Sequence, residues 1–193
     1  MELMKRKFVE LLRSVEFEPE NKAGIENLIA YMEEGGFFTA PCSGQYHLCK
    51  EGGLLEHSLN VWNYMCKLNE SLGANIPKQS LILCGLLHDL GKMGDYGKEN
   101  YVPNILKSGK VSDTKPYETN KDLLYIPHEV RSIAIAERFI ALTEEEEHAI
   151  YYHNGKYTHI GYDLKETPLM LILHTADMWC SRVVETEEEK KGE

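Results

Sequence analysis

The stretch Leu81-Ile82-Leu83-Cys84-Gly85-Leu86-Leu87-His88-Asp89-Leu90-Gly91-Lys92 sets an apolar run directly against an ionisable pair. The run from Leu81 to Leu87 belongs in a core, and it carries His88 and Asp89 towards that core. Burying an imidazole and a carboxylate is costly unless something pairs with them, and a metal ion does so well. The run is far too short for a membrane span, which needs roughly 20 apolar residues. It reads instead as a buried helix from about Pro77 to Leu90, with Gly91 as its C-terminal stop.

Helical periodicity continues on both sides. Leu3, Phe8, Leu11, Leu12 and Val15 form one stripe, and Ile25, Leu28, Ile29 and Met32 form another that Gly35-Gly36 ends. Residues 37–52 read as a loop, followed by a helix from about Leu54 to Leu72. Between 93 and 127, Gly94, Gly97, Pro103, Gly109, Pro116 and Pro127 break any long helix, leaving room for short strands such as Val102 to Leu106. A connection of that length is usually functional or mobile. Helices resume from about His128 to Ala141 and from Thr143 to about His153, where Thr143 and Glu146 have capping-box spacing. A last helix runs from Thr167-Pro168 to about Val184, and the acidic tail Glu185–Glu193 reads as a solvated, frayed end. The expectation is an all-α helical bundle forming a single domain over 1–193. Its core spans about 50–185, its N-terminal helices 1–35, and one long irregular insertion about 93–127.

Composition narrows the function. A formal charge of −10 argues against a large nucleic-acid surface, yet leaves room for a small phosphorylated substrate held by local cations or metals. The five cysteines form no CxxC pair, and without an export signal they point to a reducing cytoplasm. No GxSxG, P-loop or dinucleotide-binding glycine pattern supplies a competing chemistry.

The ordered set His57, His88-Asp89, His128, His153 and Asp177 offers four imidazoles and two carboxylates, enough for two metal ions with positions left open. Neighbouring helical residues point about 100° apart, so His88 and Asp89 flank one ion only if the helix passes beside it, with Asp89 turned to bridge a second. Taken singly, each histidine reads as an ordinary hydrogen-bonded core residue. Taken together on several helices, the set reads as a metal site. His128 and His153 lie near helix ends, where a surface histidine is also unremarkable.

Gly52-Gly53-Leu54-Leu55-Glu56-His57-Ser58-Leu59, Leu87-His88-Asp89-Leu90-Gly91-Lys92 and Leu173-His174-Thr175-Ala176-Asp177 resemble the motifs of the HD-domain superfamily of metal-dependent phosphohydrolases, over roughly residues 50–185. The resemblance implies His57, His88, Asp89 and Asp177 as ligands of one ion, with Asp89 bridging, and His128 and His153 at the second. Tyr46-His47 upstream is similar to the HD domains of bacterial 3′→5′ exoribonucleases, although this chain lacks their separate nucleic-acid-binding domain. The tyrosine-rich segment looks like that of small stand-alone bacterial or phage HD hydrolases.

Around this set, Lys92 is either a solvated lysine at a helix end or, as the resemblance implies, a phosphate-binding cation acting with Asp89 in catalysis. Arg131 offers a second substrate cation or a surface arginine, and His47 offers a substrate contact from the preceding loop. His174 shares a face with Asp177 and either orients a ligand or is an ordinary core histidine. His148 reads as exposed, and His159 has no assigned role. The tyrosines and lysines of 96–125 wall a pocket or form a surface lid. The cofactors expected are two divalent transition-metal ions, drawn from Fe, Mn, Zn or Ni. The reaction expected is hydrolysis of a phosphoester in a nucleotide, cyclic dinucleotide or short oligonucleotide by a metal-activated water. The alternatives are a di-iron oxygenase of the same superfamily, acting on a small organic substrate, and a regulatory module with a vestigial site.

Overall fold

A computed structural model describes residues 1–16, 19–155 and 164–186. Among them are seven α-helices: α1 (Glu2–Arg13), α2 (Pro19–Glu34), α3 (Gly53–Leu72), α4 (Lys78–Leu87), α5 (His128–Ala136), α6 (Glu144–Tyr151) and α7 (Pro168–Trp179). A 3-10 turn at Leu90–Met93 follows α4, and a π-helical turn at Cys180–Val184 follows α7. The fold is all-α, and the strands among the described residues form two small antiparallel pairs, β1 (Gly94–Asp95) with β2 (Lys98–Glu99) and β3 (Tyr101–Pro103) with β4 (Tyr117–Thr119).

Helix α4 organises the interior. Every residue from Ser80 to Leu87 is buried, as expected of a helix that is apolar all round. One side of it packs with Phe8, Leu12, Leu28, Met32 and Phe37, and the other with Met65, Ile150, Leu169 and Leu173. Helix α3 lies alongside and contributes to both clusters through Leu54, Leu55, Val61 and Met65. At its start, a Cβ on Gly53 would lie 2.1 Å from the Leu48 carbonyl oxygen, so only glycine lets the preceding loop fold over the helix entry. Helix α6 carries the expected capping box between Thr143 and Glu146, and Thr167 caps α7 ahead of Pro168.

Three boundaries differ from the periodic pattern. Helix α4 ends at Leu87 rather than Leu90, and Gly91 is no left-handed stop. Instead Gly91 lies inside the 3-10 turn against α5, where an added Cβ would sit 2.4 Å from the His128 carbonyl oxygen. Helix α5 ends at Ala136 rather than Ala141. The chain then turns so that Arg138 donates to both carboxylate oxygens of the buried Asp95, at 2.9 and 2.6 Å. Helix α6 stops at Tyr151, which leaves His153 in the turn beyond it. The 93–127 segment carries a strand at Tyr101–Pro103 where Val102 to Leu106 was expected. The Asp95–Arg138 pair ties this segment to the helices, and Tyr31 also donates to Asp95. No helix among the described residues is long and apolar enough to cross a membrane.

The Gly91 contact generates a direct test. Gly91→Ala forces α5 away from the 3-10 turn and should destabilise the protein by roughly 1–3 kcal/mol, the scale of overpacking. Chemical denaturation should show a lower midpoint, and an unchanged midpoint would contradict the close approach.

Candidate metal centre

Five elements converge on one point. Helix α3 carries His57, the junction between α4 and the 3-10 turn carries His88 and Asp89, the start of α5 carries His128, the turn after α6 carries His153, and α7 carries Asp177. Asp89 leaves the helical path with φ −103° and ψ 11°, in the bridge region where many active-site residues sit. That change of direction lets adjacent residues aim at one centre.

The two oxygens of Asp89 face different partners. Oδ2 lies 3.5 Å from Nε2 of both His57 and His88. Oδ1 lies 3.2 Å from His128 Nε2 and 3.5 Å from His153 Nε2. Asp177 Oδ1 completes the first group, 3.1 Å from His57 Nε2. The imidazoles also approach one another: His57 and His88 Nε2 are 3.4 Å apart, as are His128 and His153 Nε2.

The other ring nitrogen of each histidine is engaged elsewhere. His88 Nδ1 donates to the Gly85 carbonyl at 3.1 Å, and His153 Nδ1 to the Ile150 carbonyl at 2.7 Å. His57 Nδ1 faces Glu185 at 3.0 Å, and His128 Nδ1 faces Glu129 at 3.4 Å. An N–H at Nδ1 leaves a lone pair at Nε2, so four lone pairs point inward. Two lone pairs 3.4 Å apart repel, and a cation between them removes that repulsion.

Charge and polarity point the same way. Burial pushes the His88 pKa down to about 3 and the His47 pKa down to about 4, so both rings are neutral near pH 7. Burial would raise the Asp89 carboxyl, but Lys92 and the surrounding histidines hold it well below its ordinary value. Asp89 Oδ1 is buried without an aligned hydrogen-bond donor. The carboxylates Asp89, Asp177, Glu185 and Glu129 all lie against the histidines, and Lys92 is paired with Asp89, its Nζ 2.6 Å from Oδ2. Carboxylates therefore outnumber lysines among the described residues here, which suits a divalent cation. Without one, burial disfavours charge on His57, but Cys42, Asp177 and Glu185 hold its pKa well above normal. His57, His88 and Asp177 form one group able to hold an ion, and His88, Asp89 and His153 form another. The residues present therefore fit divalent metal binding.

The flanking residues depart from expectation in several places. Glu185, expected at the start of a solvated tail, is fully buried against His57 and receives a hydrogen bond from Asn60 at 3.2 Å. Nothing in its sequence context marks it, because its placement depends on an irregular turn. Lys92 is no solvated helix end: its side chain is mostly covered and paired with Asp89. Arg131 is no surface residue and does not reach the cluster. It is buried, donates to the Leu124 carbonyl at 2.8 Å and lies 3.8 Å from Asp95. His148 is half-buried with its ring against Tyr152, not exposed. His174 donates from Nδ1 to the His153 carbonyl at 2.7 Å and so braces the turn that carries a candidate ligand. His47 stands beside the cluster, its Nε2 3.7 Å from Glu185 and 3.3 Å from the Cys42 sulfur. His159 lies outside the described residues.

A cavity of about 170 Å³ adjoins Lys92 and is lined also by Thr39, Pro41, Tyr101 and Tyr117. A larger cavity of about 650 Å³ lies beyond Met93 and Gly94 and touches none of the candidate ligands. Of the four tyrosines in the insertion, Tyr101 and Tyr117 face the smaller cavity, whereas Tyr96 and Tyr125 are exposed.

A family model described as "HD domain" matches residues 54–178, well over half of the chain and spanning all six converging residues. Neither a curated protein nor a solved structure gives a significant match.

Ion binding to this donor set should stabilise the fold by mass action, by about 4 kcal/mol at a free ion concentration a thousand times Kd. Chelator-treated protein should therefore unfold at a lower temperature and recover when a divalent transition metal is restored. An unfolding curve indifferent to both treatments would contradict the fit.

Proposed function

The chain belongs to the HD-domain family, a superfamily of metal-dependent hydrolases, and we propose that it hydrolyses a phosphoester of a nucleotide, cyclic dinucleotide or short oligonucleotide. The observation that carries this reading is the split of Asp89, with one oxygen towards His57 and His88 and the other towards His128 and His153. A carboxylate so placed suits a bridge between two divalent transition-metal ions. His57, His88, Asp89 and Asp177 would hold one, and His128, His153 and Asp89 the other. When bound, such ions supply a nucleophilic water near neutral pH and neutralise charge on the phosphoryl oxygens.

The chain's own residues do the rest. The Nδ1 hydrogen bonds of His57, His88 and His153 fix those rings so that no rotation is needed at the moment of reaction. Asp89, held ionised, keeps its position between the two groups of imidazoles. Lys92 brings an ammonium to this centre, and the cavity beside it gives a phosphoryl group and its neighbouring atoms a place to enter. A substrate phosphate competes with Asp89 for Lys92, so the cation stabilises charge as it develops on the phosphoryl oxygens. His47, neutral and at the edge of the cluster, supplies a hydrogen-bonding wall for the substrate.

Elemental analysis of anaerobically purified protein, followed by a phosphoester and nucleotide screen, tests the reading. Phosphate or nucleoside monophosphate release without oxygen supports it. Oxygen consumption with an organic substrate, and no phosphoester turnover, would overturn it in favour of a di-iron oxygenase.

Two variants separate the roles. His153→Ala should retain one ion and Asp89→Ala neither, because Asp89 belongs to both groups; unchanged metal content in either would contradict the bridge. Lys92→Ala removes a cation from beside the ions, so it should keep both while losing turnover by ~10²-fold. Full turnover in Lys92→Ala would leave the phosphoryl group without this partner.

A further inference from the structure

The π-helical turn at Cys180–Val184 has an effect that can be worked out from helix geometry. The Glu185 amide donates to the Cys180 carbonyl five residues back, not to the carbonyl four back that an α-helix would use. An α-helix advances about 100° per residue, so eight residues after Asp177 a regular helix would face about 80° away from it. The wider turn absorbs one residue. The separation then acts as seven α-helical steps, which returns to within about 20° of the starting face. Asp177 and Glu185 thus project from the same side of one continuous helical segment.

Both carboxylates meet the same imidazole. Asp177 Oδ1 lies 3.1 Å from His57 Nε2, and the Glu185 oxygens lie 3.0 Å from His57 Nδ1. Glu185 is also approached by Asn60 from α3 at 3.2 Å and by His47 Nε2 at 3.7 Å. A fully buried carboxylate at the end of a helix is expensive, because the helix C-terminus carries partial negative charge and burial strips away water. Packing needs alone would favour an apolar side chain there. The His57 N–H and the Asn60 amide repay part of this cost, and what they hold in return is the orientation of one ring.

We infer that Glu185 is a positioning residue for the metal centre, placed by the π-helical turn to lock His57 with Nδ1 protonated and Nε2 free to bind an ion. The inference rests on the metal-binding reading of His57 and adds to it a carboxylate that the HD-domain match, ending at residue 178, does not span. Glu185 touches neither substrate nor ion. It works through His57, so its loss falls on the group formed by His57, His88 and Asp177 and spares the one served by His128 and His153. An outer carboxylate of this kind contributes about 10–100-fold in metal affinity.

The test is zinc affinity, measured by competition with a chromophoric chelator on the full chain. Glu185→Ala should weaken one of two zinc ions by ~10–100-fold and leave the other unchanged. Glu185→Gln, which keeps an acceptor oxygen of nearly the same shape, should recover most of that loss. Removing Ser181 closes the wide turn and leaves Glu185 seven α-helical residues after Asp177, on the same face, so this deletion should keep zinc affinity close to that of the wild-type chain. Wild-type affinity at both ions in Glu185→Ala, or an equal loss with Gln and Ala, would overturn the inference. Proton NMR supplies a readout that needs no ion: a downfield, slowly exchanging His57 Nδ1–H resonance in the wild-type chain, lost in Glu185→Ala. Failure of the wild-type chain to take up zinc would count against the metal reading itself. In that case loss of the resonance still upholds the positioning role, and its persistence in Glu185→Ala refutes it.

Discussion

The buried charge of Asp89 is the constraint around which the molecule is arranged. An isolated carboxylate in that position would be expensive enough to protonate or to unfold its surroundings. Its neighbours instead hold it ionised, with Lys92 on one oxygen and imidazoles facing both. Its partners come from separate helices and turns, so satisfying Asp89 requires α3, α5 and the turn after α6 to meet the end of α4, and α7 joins them through Asp177 on His57. The close approach of Gly91 to α5 brings His128 to the centre, and the stop of α6 at Tyr151 frees His153 to turn inward. Stability and site geometry are therefore tied together: loosening any of these joints moves a candidate ligand.

Such a cluster strains the fold as well as organising it. Converging lone pairs and an excess of carboxylates are unfavourable in a dry interior, and the His57 pKa is raised in response. A divalent cation relieves both problems at once. This explains why a protein with a net charge of −10 concentrates part of that charge in its interior instead of spreading it over the surface.

Much of this was legible in the sequence because ionisable residues stand out on apolar helices. His88 and Asp89 end a run in which every residue is buried, and Asp177 follows Leu169, Ile172 and Leu173, which are buried as well. The all-α class followed from periodicity on both sides of the 93–127 segment. Other features depend on contacts between distant parts of the chain and left no local trace. Gly91 resembled a helix stop, but the close approach of α5 is what requires a glycine there. Arg131 shares a helix with His128 and was expected near the substrate, yet its partner Asp95 belongs to a hairpin whose position periodicity does not reveal. Glu185 opens an acidic run that reads as solvated, and only a five-residue turn rotates it inward.

The proposed hydrolysis calls for a pair of divalent ions flanking Asp89, one at each carboxylate oxygen. Anomalous X-ray diffraction from crystals grown with manganese tests that most directly. Two peaks are predicted, one among His57, His88 and Asp177 and one between His128 and His153, with Asp89 between them. Absence of both peaks, or manganese bound only away from Asp89, would contradict it.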